Sequence, residues 1–247
     1  MGRAGRAWDE PRAVTLEPGF HRNAEGSVLY RAGGTVVLVT ASIADGVPKW
    51  MAQPKGGWLT AEYQMHPRAS PAARSEREGR GKPVRGRTSE IERLVGRSLR
   101  AAVALGAIGE RTITVDCDVL EADGGTRTAS ITAGWVATAL ALAKVGLLGT
   151  LREQIAAVSV GWVDDALLLD LDYREDSRAR VDMNVVATAR GALVEVQATA
   201  EGLPLPRAQY EPMLDAALGG VRALGETQRR ALALAGMDPA VCARLTS

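Results

Sequence analysis

Between Arg111 and Val145 the chain spells a strand, a glycine turn and a helix in immediate succession, and this run restricts the fold more than any other stretch. In Arg111–Leu120, Ile113, Val115, Cys117 and Val119 fall on one face, and Thr112, Thr114, Asp116 and Asp118 on the other. A period of two with one apolar face predicts a half-buried β-strand. Asp123-Gly124-Gly125-Thr126 predicts a turn, and about Arg127 to Val145 predicts a helix built largely from Ala. Its small residues (Ala129, Ser130, Ala133, Gly134, Ala137) allow close packing on a sheet. The stretch Ala129 to Leu148 is the longest apolar one, yet it contains Ser130, Thr132, Thr138 and Lys144. It reads as a buried helix, not a membrane span.

The flanking segments fit a sheet with helices on it. Ser27–Arg31 and Thr35–Ile43 read as strands joined by a hairpin turn at Gly33-Gly34. The continuous run Val36 to Val39 suits a strand covered on both faces. Asp45 to Arg87 is polar and rich in Gly, Pro and Arg, and reads as a long loop. Ile91, Leu94, Val95, Ser98, Leu99, Ala102 and Val103 recur at helical spacing, with Ser89 and Glu92 as a capping box ahead of them. Four strands follow, at Ile155–Val163, Ala166–Asp172, Ala179–Thr188 and Leu193–Ala200. Two helices close the chain, at Pro206–Leu224 and Glu226–Ala235. Strands and helices come in clusters, which favours an α+β fold. At 247 residues, the whole chain 1–247 is expected to form a single domain.

Charge narrows the function. The formal net charge is only +1, but four of the 30 cationic residues are Lys and the rest are Arg. Arg presents a planar fork suited to phosphate and carboxylate. His66 to Arg87 holds seven Arg or Lys against two Glu, whereas Asp164 to Asp182 holds seven acids against three Arg. A basic and an acidic stretch in one neutral chain suit a polyanionic substrate handled beside a metal. Aromatics make up 4% of the chain, too few for a grip on single-stranded bases by stacking alone. Cys117 and Cys242 make no disulfide framework, and residues 1–12 have no apolar core of a signal peptide, so a cytoplasmic location is expected.

Two His, His21 and His66, stand outside any Ser/His/Asp or Cys/His context, which argues against a protease-type triad. Gly79-Arg80-Gly81-Lys82 lacks both the preceding strand and the following hydroxyl of a Walker loop. Gly124-Gly125-Thr126-Arg127-Thr128 is different: it joins a strand to a helix, where free N–H groups and the positive dipole end attract an anion. It reads equally as an anion site or as a capped glycine turn. Arg87, before the next helix, reads as a second anion ligand or as a solvated loop residue. Asp170, Asp172, Glu175, Asp176 and Asp182 lie close in sequence across a turn, as a divalent-cation site or as a charged hairpin neutralised by Arg174, Arg178 and Arg180. Asp116 and Asp118 are ligands or partners of Arg. Arg68, Arg74 and Arg77 have no interleaved aromatics and suit sequence-blind contacts to a phosphate backbone, or a solvated loop.

Taken in order, several strings resemble those of the ribonuclease PH family of phosphate-dependent 3′ exoribonucleases. They are Glu25-Gly-Ser-Val, Gly57-Trp-Leu-Thr-Ala-Glu-Tyr63, Gly86-Arg-Thr-Ser-Glu-Ile91, Asp116 through Ile131, Glu175-Asp-Ser177 with Asp182-Met-Asn-Val-Val186, and Thr199-Ala-Glu-Gly202. The resemblance spans about residues 8 to 235, and the Asp116–Ile131 string is its most specific part. It implies an α+β fold of two βαβα-like halves, with mixed sheets packed on helices. It implies a nucleotidyltransferase in which inorganic phosphate, not water, attacks the last phosphodiester of an RNA 3′ end and releases a nucleoside diphosphate. It further implies phosphate held by Arg87, Gly125, Thr126 and Arg127, with Asp176 and Asp182 positioning Mg²⁺ and handling the proton of the leaving 3′-hydroxyl. Arg68, Arg74 and Arg77 would contact the body of a transfer RNA. Transfer-RNA precursors are the implied substrates, with ribosomal RNA beside them, and the implied assembly is a hexameric ring, a trimer of dimers. The competing readings are an inactive RNA-binding ring subunit and a metal-dependent hydrolase that uses water.

Overall fold

The computed structural model describes residues 3, 5–51, 56–71, 74–78, 86–238 and 240, and nine strands and four α-helices are named among these described residues. The first half contains β1 (Val14–Pro18), β2 (Gly26–Ala32), β3 (Thr35–Asp45), β4 (Trp58–Met65), α1 (Gly86–Ala102), β5 (Arg111–Glu121) and α2 (Thr126–Lys144). The second contains β6 (Ile155–Val163), β7 (Ala166–Leu169), the one-turn α3 (Tyr173–Asp176), β8 (Ala179–Thr188), β9 (Leu193–Ala200) and α4 (Arg207–Leu234). The first sheet runs β1-β2-β3-β5-β4 and the second β7-β6-β8-β9. Only β4 and β5 pair in parallel, joined by the crossover helix α1; every other pair is antiparallel.

The helix α2 lies between the two sheets. Fourteen of its nineteen residues are buried, so no side is left for solvent except at the ends. This explains a helix almost without charge: its neighbours are β2 and β3 on one side and β6 on the other. Thr132 and the side chains of Gln154 and Gln228 satisfy one another and nearby carbonyls across this interior, with Gln228 Nε2 donating to Thr132 O at 2.9 Å and Ile155 O at 2.8 Å. Among the described residues no helix is long and apolar enough to cross a membrane.

Contact between α2 and β2 is so close that a Cβ on Gly26 would lie 2.0 Å from the Ala137 carbonyl oxygen and 2.8 Å from the Ala141 nitrogen. Both obstacles are backbone and cannot rotate away. Gly26→Ala is therefore expected to cost on the order of 3 kcal/mol or more. Gly149→Ala, where a Cβ would meet nothing within 4 Å, is the control. Urea denaturation of both variants checks this, and a wild-type midpoint for Gly26→Ala would refute the close packing.

Three expectations need correction. The stretch Asp45 to Arg87 is not one loop, because β4 lies within it. Its buried residues Leu59, Ala61 and Tyr63 alternate with Thr60, Glu62 and Gln64, a period of two set among the Gly, Pro and Arg on either side. The first helix begins at Gly86, so Ser89 and Glu92 lie inside it and form no capping box; Glu92 instead accepts the Tyr63 N–H at 3.4 Å. The closing helices are one helix, α4, because Gly225 packs on Gln154 and its carbonyl accepts Gln154 Nε2 at 2.8 Å. A smaller departure concerns Val36 to Val39. Only Leu38 of the four is not fully buried, and it turns toward an open cleft.

Candidate active site

A cavity of about 1060 Å³ opens over the polar face of the first sheet. Its floor is the outward row of β3, β4 and β5, including Thr40, Glu62, Asp116 and Asp118. The first turns of α1 and α2 close one end, and β8 with α3 closes the other. Arg87, Gly125, Thr126, Arg127, Asp176 and Asp182 all line this one cavity. Residues almost a hundred positions apart in sequence therefore meet.

At the start of α2, Gly125 is the N-cap with φ of 66°, and no side chain caps the helix. The first backbone bond into the helix runs from Ala129 N–H to Gly125 O at 2.9 Å, so the N–H groups of 126–128 have no helical acceptor. A left-handed residue there turns them outward, and glycine takes that conformation without strain. The Thr126 hydroxyl is held at 2.8 Å from the Tyr63 hydroxyl, a buried partner that the motif strings alone do not single out as a contact. Burial, foremost, pushes the Tyr63 phenol up, against the pull of Thr126, Arg87 and Arg127. Arg87 and Arg127 make no hydrogen bond or close ion pair among the described residues. Both nevertheless act electrostatically on Asp182. Two uncommitted guanidiniums and an uncapped helix start thus face one acid.

Asp182 sits in β8 and is half-buried. Its carboxyl is pushed above the ordinary range by burial first and by the charge of Asp176 next, while Arg127, a hydrogen bond from Asn184 and Arg87 pull it back. Asn184 Nδ2 lies 3.3 Å from Asp182 Oδ2. Asp116 is raised by burial first, then by Glu62 and Asp118, and Asp118 by burial first. The cavity wall is therefore short of positive charge on the β4–β5 side and rich in it at the helix ends.

The run of carboxylates from Asp170 to Asp182 does not converge as one group. Asp170 pairs with Arg12 at 2.7 Å, Glu175 pairs with Arg3 at 2.8 Å, and Asp172 caps α3 through the Glu175 N–H at 2.9 Å. Asp170 and Glu175 are neutralised by Arg residues of the N-terminal segment, not by Arg174, Arg178 or Arg180. Only Asp176 and Asp182 reach the cavity. Among the described residues no cluster of three or more His, Cys, Asp or Glu could hold a metal ion. Arg68, Arg74 and Arg77 are exposed on the segment between β4 and α1, outside the cavity lining; Arg77 is near enough to Asp118 to lower its carboxyl. Gly79-Arg80-Gly81-Lys82 and Cys242 lie outside the described residues. Burial pushes the Cys117 thiol up to about 12, which removes it as a nucleophile.

Two guanidiniums and an uncapped helix start facing a carboxylate pair define a class of enzyme that handles phosphate-bearing substrates. Residues 10–146 match the 3′ exoribonuclease family, domain 1, and residues 153–220 match domain 2 of the same family. The chain is 55% identical over 236 residues to a ribonuclease PH of Nocardia farcinica, covering 93% of this chain and 91% of that one. It is 52% identical over 243 residues to a ribonuclease PH of Mycobacterium leprae, covering 95% and 93%. Among solved structures it resembles the Archaeoglobus fulgidus exosome with RNA bound to the active site, at a TM-score of 0.75 and 25% identity over 90% of both chains. Rice (Oryza sativa) Rrp46 shares the fold at a TM-score of 0.76 and 17% identity, over 92% of this chain and 98% of that one. The chain belongs to the 3′ exoribonuclease family. Its activity is phosphate-dependent exonucleolysis in the 3′ to 5′ direction.

Proposed function

We propose that this chain trims the 3′ ends of transfer-RNA precursors, with ribosomal-RNA ends as further substrates and nucleotide addition as the reverse reaction. The observation that carries the residue assignment is the pairing of uncommitted Arg87 and Arg127 with the uncapped start of α2, all facing Asp182. Inorganic phosphate would lie against the N–H groups after Gly125, the Thr126 hydroxyl and the Arg127 fork. Arg87, at the start of α1, would hold the same phosphate from the other helix end. Two anions must approach each other, and these preorganised donors offset the repulsion, at about 3–4 kcal/mol each.

Asp176 and Asp182 suit a divalent cation. The charge of Asp176 raises the cost of ionising Asp182, and Mg²⁺ takes one or two carboxylates with substrate phosphate oxygens and water. A bound Mg²⁺ would supply charge compensation at the attacked phosphoryl group. The same pair would manage the proton for the departing 3′ oxygen. Arg68, Arg74 and Arg77, exposed beyond the cavity, would touch the body of the transfer RNA. We read the chain as one domain of residues 1–247, because α2 packs against both sheets, and as a cytoplasmic subunit of a hexameric ring, a trimer of dimers, by likeness to its relatives.

Incubation of the protein with a 3′-extended transfer RNA and Mg²⁺, with and without inorganic phosphate, tests this. Nucleoside diphosphates released only in the presence of phosphate are expected. Monophosphates in both tubes would make it a hydrolase, and no release at all would make it an inactive RNA-binding subunit.

A further inference from the structure

Arg12, Thr35 and Asp170 do not line the cavity, yet they tie together the two segments that carry its opposing groups. The Arg12 guanidinium donates through Nε to Asp170 Oδ2 at 2.9 Å and through Nη2 to Oδ1 at 2.7 Å, and the Arg12 backbone N–H donates to Oδ2 at 2.8 Å. Its remaining nitrogen, Nη1, donates to Asp123 O at 2.7 Å. The Thr35 hydroxyl donates to Gly124 O at 2.7 Å and accepts the Asp123 N–H at 3.0 Å. The two segments meet without space between them: a Cβ on Gly124 would lie 2.5 Å from Leu171 O. Beyond the first segment stand Thr126 and Arg127; beyond the second, at the end of α3, stands Asp176.

We propose that Arg12 is a positioning residue for phosphate: its fork spans Asp170 and the Asp123 carbonyl, and so fixes the anion-binding turn relative to the carboxylate opposite it. The inference rests on the assignment of phosphate to 125–127. Arg12 and Asp170 are both buried. A buried ion pair adds little net stability over apolar side chains of similar size, because desolvation consumes the Coulomb gain. What the planar guanidinium adds is direction, since one rigid group satisfies acceptors on two separate segments. An ammonium retains the charge but cannot place donors on both at these angles.

Arg12→Lys is the test, with phosphate and RNA varied separately in steady-state assays. The expected result is a rise of about tenfold in KM for phosphate, with KM for RNA within about twofold of wild type, as follows from slight displacement of a preorganised group. A lowered melting temperature with both KM values unchanged, or an equal rise in both, overturns the proposal. Should Arg12→Lys fail to fold, Thr35→Val removes the hydroxyl that holds the same turn. It must raise KM for phosphate selectively; a folded Thr35→Val chain with wild-type constants overturns the proposal as well. Arg127→Ala runs in parallel. If it leaves the phosphate requirement unchanged, the anion pocket itself is misplaced and the inference falls with it. If it raises that requirement while Arg12→Lys does not, the pocket stands and the positioning role alone fails.

Discussion

Asp182→Asn is expected to lower turnover by about 10²–10⁴-fold while leaving RNA affinity intact. Asn keeps the shape of the side chain and loses the charge and the titrating proton. RNA binding should not suffer, because removing a negative group from the cavity lessens repulsion of the phosphodiester. The same substitution should raise the melting temperature of the metal-free protein at neutral pH. Asp182 is pushed above its ordinary carboxyl range by burial and by Asp176, so its ionised form is disfavoured in the folded chain. The sign follows from linkage: a raised carboxyl subtracts stability once it ionises, a cost absent below its unfolded value and complete above its folded one. The gap between variant and wild type should therefore be widest at neutral pH and close on acidification. Melting curves in a chelator across pH, with anisotropy titrations of RNA and turnover in Mg²⁺, measure all three. A variant that turns over normally removes Asp182 from the reaction, and one that melts lower at neutral pH refutes the electrostatic cost.

The regular parts of this fold are open to reading where apolar runs stop at turn residues. Ile155–Val163, Ala179–Thr188 and Leu193–Ala200 are strands with those same limits. Trp58–Met65 carries a period of two, but it is short and the Gly, Pro and Arg on either side make the whole stretch read as a loop. The start of α1 escapes because the apolar period begins only at Ile91, a full turn after the helix does. Within the site, Arg87, Arg127, Asp176 and Asp182 are legible as a family string and not from spacing. Arg12 is legible from neither. It is separated from Asp170 by 158 positions, and nothing local in an Arg distinguishes a buried brace from a solvated side chain. Its role appears only when the chain has folded and the acceptors around its five donors can be counted. The same applies to Arg3 and Arg6, which neutralise Glu175 and so leave only Asp176 and Asp182 of that acidic run for the cavity.

Arg127→Ala should lower kcat/KM for phosphate by about 10²–10³-fold, the range seen when one preorganised donor to a reacting oxyanion is deleted. Arg127 has no other partner to lose, since it makes no hydrogen bond or close ion pair among the described residues. Its truncation is therefore expected to lower thermal stability only through the lost attraction to ionised Asp182, a smaller loss than removal of Arg12, whose nitrogens are all engaged in or near structural bonds. Loss of Arg127 should also push the Asp182 carboxyl higher, because one of the charges that pulls it down is gone. The pH dependence of any residual activity should then shift upward relative to wild type. Arg127→Lys separates charge from geometry: it restores the point charge beside Asp182, and with it the pH profile, but not the paired donors that match two phosphate oxygens. The expected pattern is a wild-type pH profile with a persistently high KM for phosphate. Full recovery of phosphate affinity by Lys would mean that the pocket works by net charge alone, and that the fork geometry assigned to residue 127 has no part in holding the nucleophile.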